Sequence, residues 1–179
     1  APGVRQVVTD WGLSTGIGFY TDGDRLVELT AERAEPGFLE MMDVPIVRGR
    51  EFRHGEAGVD AARNDMPAVI DVELARHLWK DADPIGRRLK RANDSSAVAG
   101  DLVVVGVFDN PRAIERKAGE EYRIFLPPDT TRISRALLVH TAGRALPLLP
   151  AFRKIAQEEA RNIVVDVQMC RQWDACVRE

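Results

Sequence analysis

The stretch Val69 to Leu89, VIDVELARHLWKDADPIGRRL, constrains this chain more than any other, because it prescribes a strand, a capped helix and a sharp return in immediate succession. Asp71 follows two β-branched residues and is placed to accept backbone N–H bonds at a helix start, a cap worth about 1 kcal/mol. Leu74, Ala75, Leu78 and Trp79 then recur at spacings of one and four, which gathers them on one helical face while Glu73, Arg76 and His77 point elsewhere. That face requires burial. Asp81-Ala82-Asp83-Pro84 ends the helix, since the ring of Pro84 disfavours the αR conformation at Asp83, and Gly86 permits a tight return into Arg87 to Lys90.

A chain of 179 residues makes one large domain or two small interleaved lobes, and 45% hydrophobic residues is ample for a packed core. The 25 basic and 28 acidic residues leave a net charge of -3, with no basic block beyond Arg87-Arg88-Leu89-Lys90-Arg91. Nucleic acid is therefore a poor partner, and the basic run reads as a solvated strand edge, where such charges discourage aggregation. No segment approaches the ~18 consecutive apolar residues of a membrane helix, and no charged-then-apolar leader precedes Val4. The start at Ala1 rather than Met and the abrupt end at Val177-Arg178-Glu179 are expected of a piece of a longer chain.

Further along, Val4 to Thr9 and Leu26 to Arg33 read as strands around a glycine-rich connection, Gly12 through Gly23. Pro36 to Met42 reads as a short helix with Phe38, Met41 and Met42 as its apolar face, and Val44 to Val47 extends into a turn at Arg48-Gly49-Arg50. Arg53 to Met66 and Ala92 to Gly100 are loops by composition. Leu102 to Phe108 has central-strand character, apolar on both faces. Tyr122 to Leu126, Arg135 to His140 and Ile163 to Val167 read as strands. A helix marked by Leu148, Phe152 and Ile155 runs to about Arg161, and Trp173 is placed in a final helical stretch. The expected fold class is α+β, a mixed sheet with two helices long enough to matter.

Chemistry-bearing patterns are sparse. Gly12, Gly16 and Gly18 form neither a dinucleotide fingerprint nor a phosphate loop. His54, His77 and His140 fall in a loop, on a helix and at a strand end, with no metal-ligand spacing between them. Ser14, Ser95, Ser96 and Ser134 lack the elbow that exposes a nucleophile. Asp81 and Asp83 offer an acid/base pair or a hard-cation site, but turn chemistry explains them better, as it does Asp109-Asn110-Pro111. No catalytic, cofactor-binding or metal residue is assigned. Cys170 and Cys176 lie too far apart to bond on one continuous helix, whereas a strand-to-helix bend relaxes that objection, so a disulfide and two unlinked thiols both stand. Zinc fits less well, because C-x5-C lacks knuckle spacing.

In order along the chain, Pro36-Gly37-Phe38-Leu39-Glu40-Met41-Met42, then Pro45 to Phe52, then Ala68 to Leu89 resemble the MacB-like periplasmic core domain of FtsX/MacB-type ABC transporter permeases. Val103-Val104-Val105-Gly106-Val107, Ile124-Phe125-Leu126-Pro127 and Leu137 to Thr141 resemble its later strands, so the likeness covers nearly the whole chain. Two places depart from it. Asp71-Val72 stands where the family usually has Asn or Ser followed by Glu, and Phe108-Asp109-Asn110-Pro111 replaces a valine-glycine-aspartate continuation.

The resemblance implies a two-lobed α+β domain on the periplasmic or extracellular side of the cell inner membrane, one lobe inserted into the other. Residues 1–51 plus 128–179 would form the membrane-proximal lobe and 52–127 the inserted lobe, with the chain ends close together. It implies a non-enzymatic role without cofactors, coupling ATP-driven motion of membrane helices to export, lipoprotein handling or mechanical signalling. The implied partners are a second copy in a permease dimer, an ABC ATPase subunit reached through the membrane helices, and a periplasmic protein or lipoprotein. A two-lobed ligand-binding or protein-binding module is the alternative, and an enzyme using Asp81 and Asp83 ranks last.

Overall fold

In the computed structural model, the described residues are 3–10, 16–23, 25–56, 65–91, 101–109, 122–128, 136–159, 168–172 and 175–178. The strands that carry the core bury alternate residues, as a pleated surface requires. In β3 (Arg25–Arg33) these are Val27, Leu29 and Ala31, and in β5 (Asp65–Asp71) they are Met66, Ala68 and Ile70. In β7 (Asp101–Phe108) the set is Leu102, Val104 and Val107, a change of phase between 104 and 107. The cause is a bulge: Ala68 pairs with Val104 but Val69 pairs with Gly106, leaving Val105 as the extra residue. Phe108 thereby turns to the opposite face.

These strands belong to a seven-stranded mixed sheet with β2 (Gly16–Asp22), β4 (Ile46–Gly49), β6 (Arg88–Arg91) and β8 (Tyr122–Leu126), in the order β4-β7-β5-β8-β3-β2-β6. β3 runs parallel to β8 and β5 parallel to β7, while the other neighbours are antiparallel. The sheet also closes on itself. Arg88 and Leu89 of β6 pair with Val103 and Leu102 of β7, while Lys90 and Arg91 pair with Thr21 and Tyr20 of β2.

Helix α2 (Val72–Trp79) follows β5 without a break, as its sequence predicts. The Asp71 carboxylate accepts the Glu73 N–H at 2.6 Å, and Leu74, Ala75, Leu78 and Trp79 are buried against β3, β5, β7 and β8 residues. The helix ends at Lys80, which takes φ 54°, ahead of the expected Asp-Pro turn. The other face of the sheet is covered by the short helix α1 (Phe38–Met41), whose Phe38 meets Phe125, itself edge-on to Phe108 at 5.0 Å between ring centres. Burial on both faces explains the continuous apolar runs of β7 and β8.

Three expectations change. The glycine-rich connection is in part a strand, β2, whose residues pair one by one with β3 up to Asp22 opposite Arg25, with Gly23 at φ 65° in the turn. Pairing with β3 overrides the poor strand propensity of glycine there. Arg87, Arg88 and Lys90 are exposed as expected, but β6 is hydrogen-bonded to two strands and is not a sheet edge. The final stretch is not helical on either side of Trp173: β10 (Gln168–Gln172) and β11 (Ala175–Arg178) form an antiparallel pair of their own. Trp173 itself and the expected strand at 163–167 lie outside the described residues, as do the loops at 57–64 and 92–100.

Two compact units divide the chain. Val8–Leu138 holds the seven-stranded sheet with α1 and α2. Ala1–Val7 together with Val139–Glu179 holds both ends of the chain. Strands β1 (Val4–Asp10) and β9 (Ala136–Thr141), which pair with each other, each contribute residues to the latter, where the Ala142 N–H donates to the Gly3 carbonyl at 2.7 Å and a 3-10 turn at Leu146–Leu148 leads into α3 (Leu149–Glu159). Leu148 and Phe152 are half-buried, whereas Ile155 is exposed. Within the Val8–Leu138 unit, β2, β3 and β4 share one sheet with β5 to β8. The parallel pairing of β3 with β8, whose paired residues are more than ninety positions apart, unites them. The whole is a mixed α/β fold, rich in sheet and poor in helix, as expected.

Candidate functional site

A polar cluster lies where α1 meets the chain leaving β4. Gly37, at φ 88°, caps α1 but brings no side chain to its exposed N–H groups. The Glu51 carboxylate supplies what is missing from a dozen or more residues downstream, accepting the Gly37 and Leu39 N–H groups at 3.1 Å each. Beside it the Arg50 guanidinium holds Glu56 in a two-pronged pair at 2.7 and 2.9 Å and donates to the Glu51 carbonyl at 3.0 Å. The Glu56 carboxylate also accepts the Arg53 N–H at 2.9 Å.

Two carboxylates a few residues apart are thus driven in opposite directions. Burial pushes the Glu51 carboxyl up from its ordinary value, against the Leu39 and Gly37 N–H bonds that pull it down, and Glu40 adds repulsion. The bond from Arg50 pulls Glu56 down, and the same contact raises Arg50. This cluster is a joint. It ties α1 to the β4 exit, and the Arg50 N–H donates to the Val105 carbonyl at the β7 bulge at 3.0 Å.

The residues singled out in the sequence are scattered across the described structure. Asp83 accepts the Ile85 N–H at 3.1 Å, a turn-forming contact, and Asp81 is exposed beside it. His77 lies on the outer face of α2 near Tyr122, with ring centres 5.4 Å apart, while His54 and His140 are exposed elsewhere. The Asp109 N–H donates to the Pro45 carbonyl at 3.0 Å, and Asn110, Pro111, Ser14, Ser95, Ser96 and Ser134 lie outside the described residues. No group of three or more His, Cys, Asp or Glu positioned for a metal occurs among the described residues, and no described helix is long and apolar enough to cross a membrane. The Glu51 contact went unforeseen. A helix start with glycine in the capping position is the one signal that asked for an acceptor from elsewhere.

A family model of the MacB-like periplasmic core domain matches residues 1–168. The chain belongs to that family. The periplasmic region of MacB from Actinobacillus actinomycetemcomitans superposes on this MacB-like domain with a TM-score of 0.60 at 12% identity, covering 89% of this chain and 69% of that one. The extracellular domain of the noncanonic ABC-type transporter YknZ from Gram-positive bacteria gives 0.59 at 15% identity, covering 89% and 78%. A domain of a permease protein from Porphyromonas gingivalis gives 0.56 at 22% identity, covering 88% and 71%. These three likenesses are of fold. Among curated proteins, none matches the chain. Family membership makes this MacB-like domain an extracytoplasmic part of an ABC transporter permease.

Proposed function

We propose that this MacB-like domain transmits ATP-driven motion of its permease's membrane helices to a substrate or partner outside the membrane, working beside a second copy of itself. The single observation behind this reading is that residues 1–7 and 139–179 belong to one compact unit, within a chain that matches the family over 1–168. A domain whose two ends both lead to the same bilayer needs its ends in one body. That body is the membrane-proximal part in this reading. ATP hydrolysis belongs to a separate cytoplasmic subunit, and the domain's own contribution is mechanical rather than catalytic.

The experiment uses the intact permease with its ATPase in lipid. A non-thiol spin label replaces Lys154, whose side chain is largely exposed on α3, and the distance between the labels of the two protomers is measured without nucleotide, with ATP and after hydrolysis. The expected result is a paired-label distance that shifts between nucleotide states. A distance that stays fixed, or labels that never come within range of each other, overturns the proposal.

A further inference from the structure

Both cysteines of the chain lie in the terminal strand pair, and they are register partners: Cys170 stands opposite Cys176 in the antiparallel ladder of β10 and β11. Opposed residues in such a ladder have Cα atoms about 4.5 or 5.5 Å apart, according to whether the pair is hydrogen-bonded. Both spacings fall inside the window of roughly 4.4–6.8 Å that a disulfide spans. The helical geometry that argued against a bond in the sequence is absent here, since Gln168–Gln172 and Ala175–Arg178 are both strands.

A second observation gives the bond something to do. β10 and β11 form a sheet of two, joined to no other described strand, and their register shifts between Cys170 and Gln172. An isolated two-stranded hairpin is marginal in water, and a register weakly fixed by its neighbours is prone to slip. A covalent link between opposed residues removes that freedom. Both cysteines lie past residue 168, where the family match ends. An extracytoplasmic compartment lets such a bond persist.

We propose that Cys170 and Cys176 form an intramolecular disulfide that pins the β10–β11 register. The two thiols give up two protons and two electrons to a disulfide-bearing oxidant, either a small-molecule disulfide or an oxidoreductase. Its own S–S bond breaks to leave two thiols as the new one forms.

Sequence makes the test direct. Trypsin cleaving after Arg161, Arg171 and Arg178 parts the two cysteines into peptides 162–171 and 172–178. The full chain is reduced, equilibrated in a glutathione redox buffer, alkylated and digested, with intact mass and a non-reducing gel run alongside. The expected species is 162–171 joined to 172–178, lighter than the sum of the two by two hydrogen atoms, from a protein that runs as a monomer and separates on reduction. Two alkylated peptides, glutathione adducts or a covalently linked dimer each overturn the proposal. Amide exchange across 168–178 is expected to slow at least several-fold on oxidation; equal exchange in both forms sinks the pinning role. None of these readouts involves the permease or its ATPase, so they are independent of the proposal that the domain transmits motion.

Discussion

Gly106 passes so closely beneath Arg50 that a Cβ atom added to it would collide with the Arg50 carbonyl oxygen. Both atoms are backbone, so no side chain can swing aside to relieve the overlap. Gly106→Ala is therefore expected to cost about 1–3 kcal/mol through forced displacement of the β4 exit from the β7 bulge. Urea denaturation measures it against Gly143→Ala, where an added Cβ meets nothing within 4 Å and the change stays within about 0.5 kcal/mol. Equal midpoints for the two variants would contradict the close approach.

Glu51 controls one part of the pH dependence. Its folded carboxyl titrates above the ordinary value of 4.5, because burial outweighs the N–H bonds it accepts. As pH rises through 4.5, the unfolded chain releases this proton first, so Glu51 removes stability until the folded carboxyl also ionises. The contribution is favourable below that window and lost across it. Glu51→Gln is expected to flatten the slope of stability against pH just above 4.5 while keeping an acceptor oxygen for Gly37 and Leu39. Glu51→Ala leaves those two N–H groups unserved and costs about 1–3 kcal/mol below that window and less above it.

Glu56 has the opposite sign. The Arg50 contact holds its carboxyl below 4.5 in the folded chain, so its stabilising effect is present above that pH and lost as pH falls toward the folded value. Glu56→Gln is expected to remove this acid-side loss, read as a shallower fall of thermal midpoint between about pH 4.5 and the onset of acid unfolding. A Glu56→Gln profile that tracks the parent throughout would show that the pair contributes nothing measurable. Such a result is common for partly exposed ion pairs.

Helix α2 separates core from surface within one element and its neighbour. Leu74 is fully buried and Leu26 is 61% exposed, so Leu74→Ala is expected to cost about 2–5 kcal/mol and Leu26→Ala within about 0.5 kcal/mol. At the helix start, Asp71→Ala costs about 1 kcal/mol, and Asp71→Asn, which preserves the acceptor, costs much less. Chemical denaturation of the four variants checks the order.

The accuracy of the sequence reading followed the range of the interactions. α2 was legible in full, from the Asp71 cap to the buried Leu78, because periodicity, capping and the Pro84 turn all act within a few residues. β7 and β8 were legible because burial on both faces leaves a continuous apolar run. β2 was not, since its glycines disguise a strand defined by pairing with β3, and the Gly23 turn was the available clue. Nothing near Lys90 announces that β6 will join β2 to β7. The Glu51 contact was hidden for the same reason, because a carboxylate at 51 has no local cause to seek the N–H of Leu39. The Cys170 and Cys176 register depended on recognising two short polar strands where a helix was expected.

The closure of the sheet through β6 has a mechanical consequence. Because β6 joins β2 to β7, a load entering at β3 reaches β7 by two routes, through β8 and β5 or through β2 and β6. An open sheet with the same strands would have only one, and the weakest ladder along it would set the yield point. Here either route can let go while the other keeps the ends of the circuit connected.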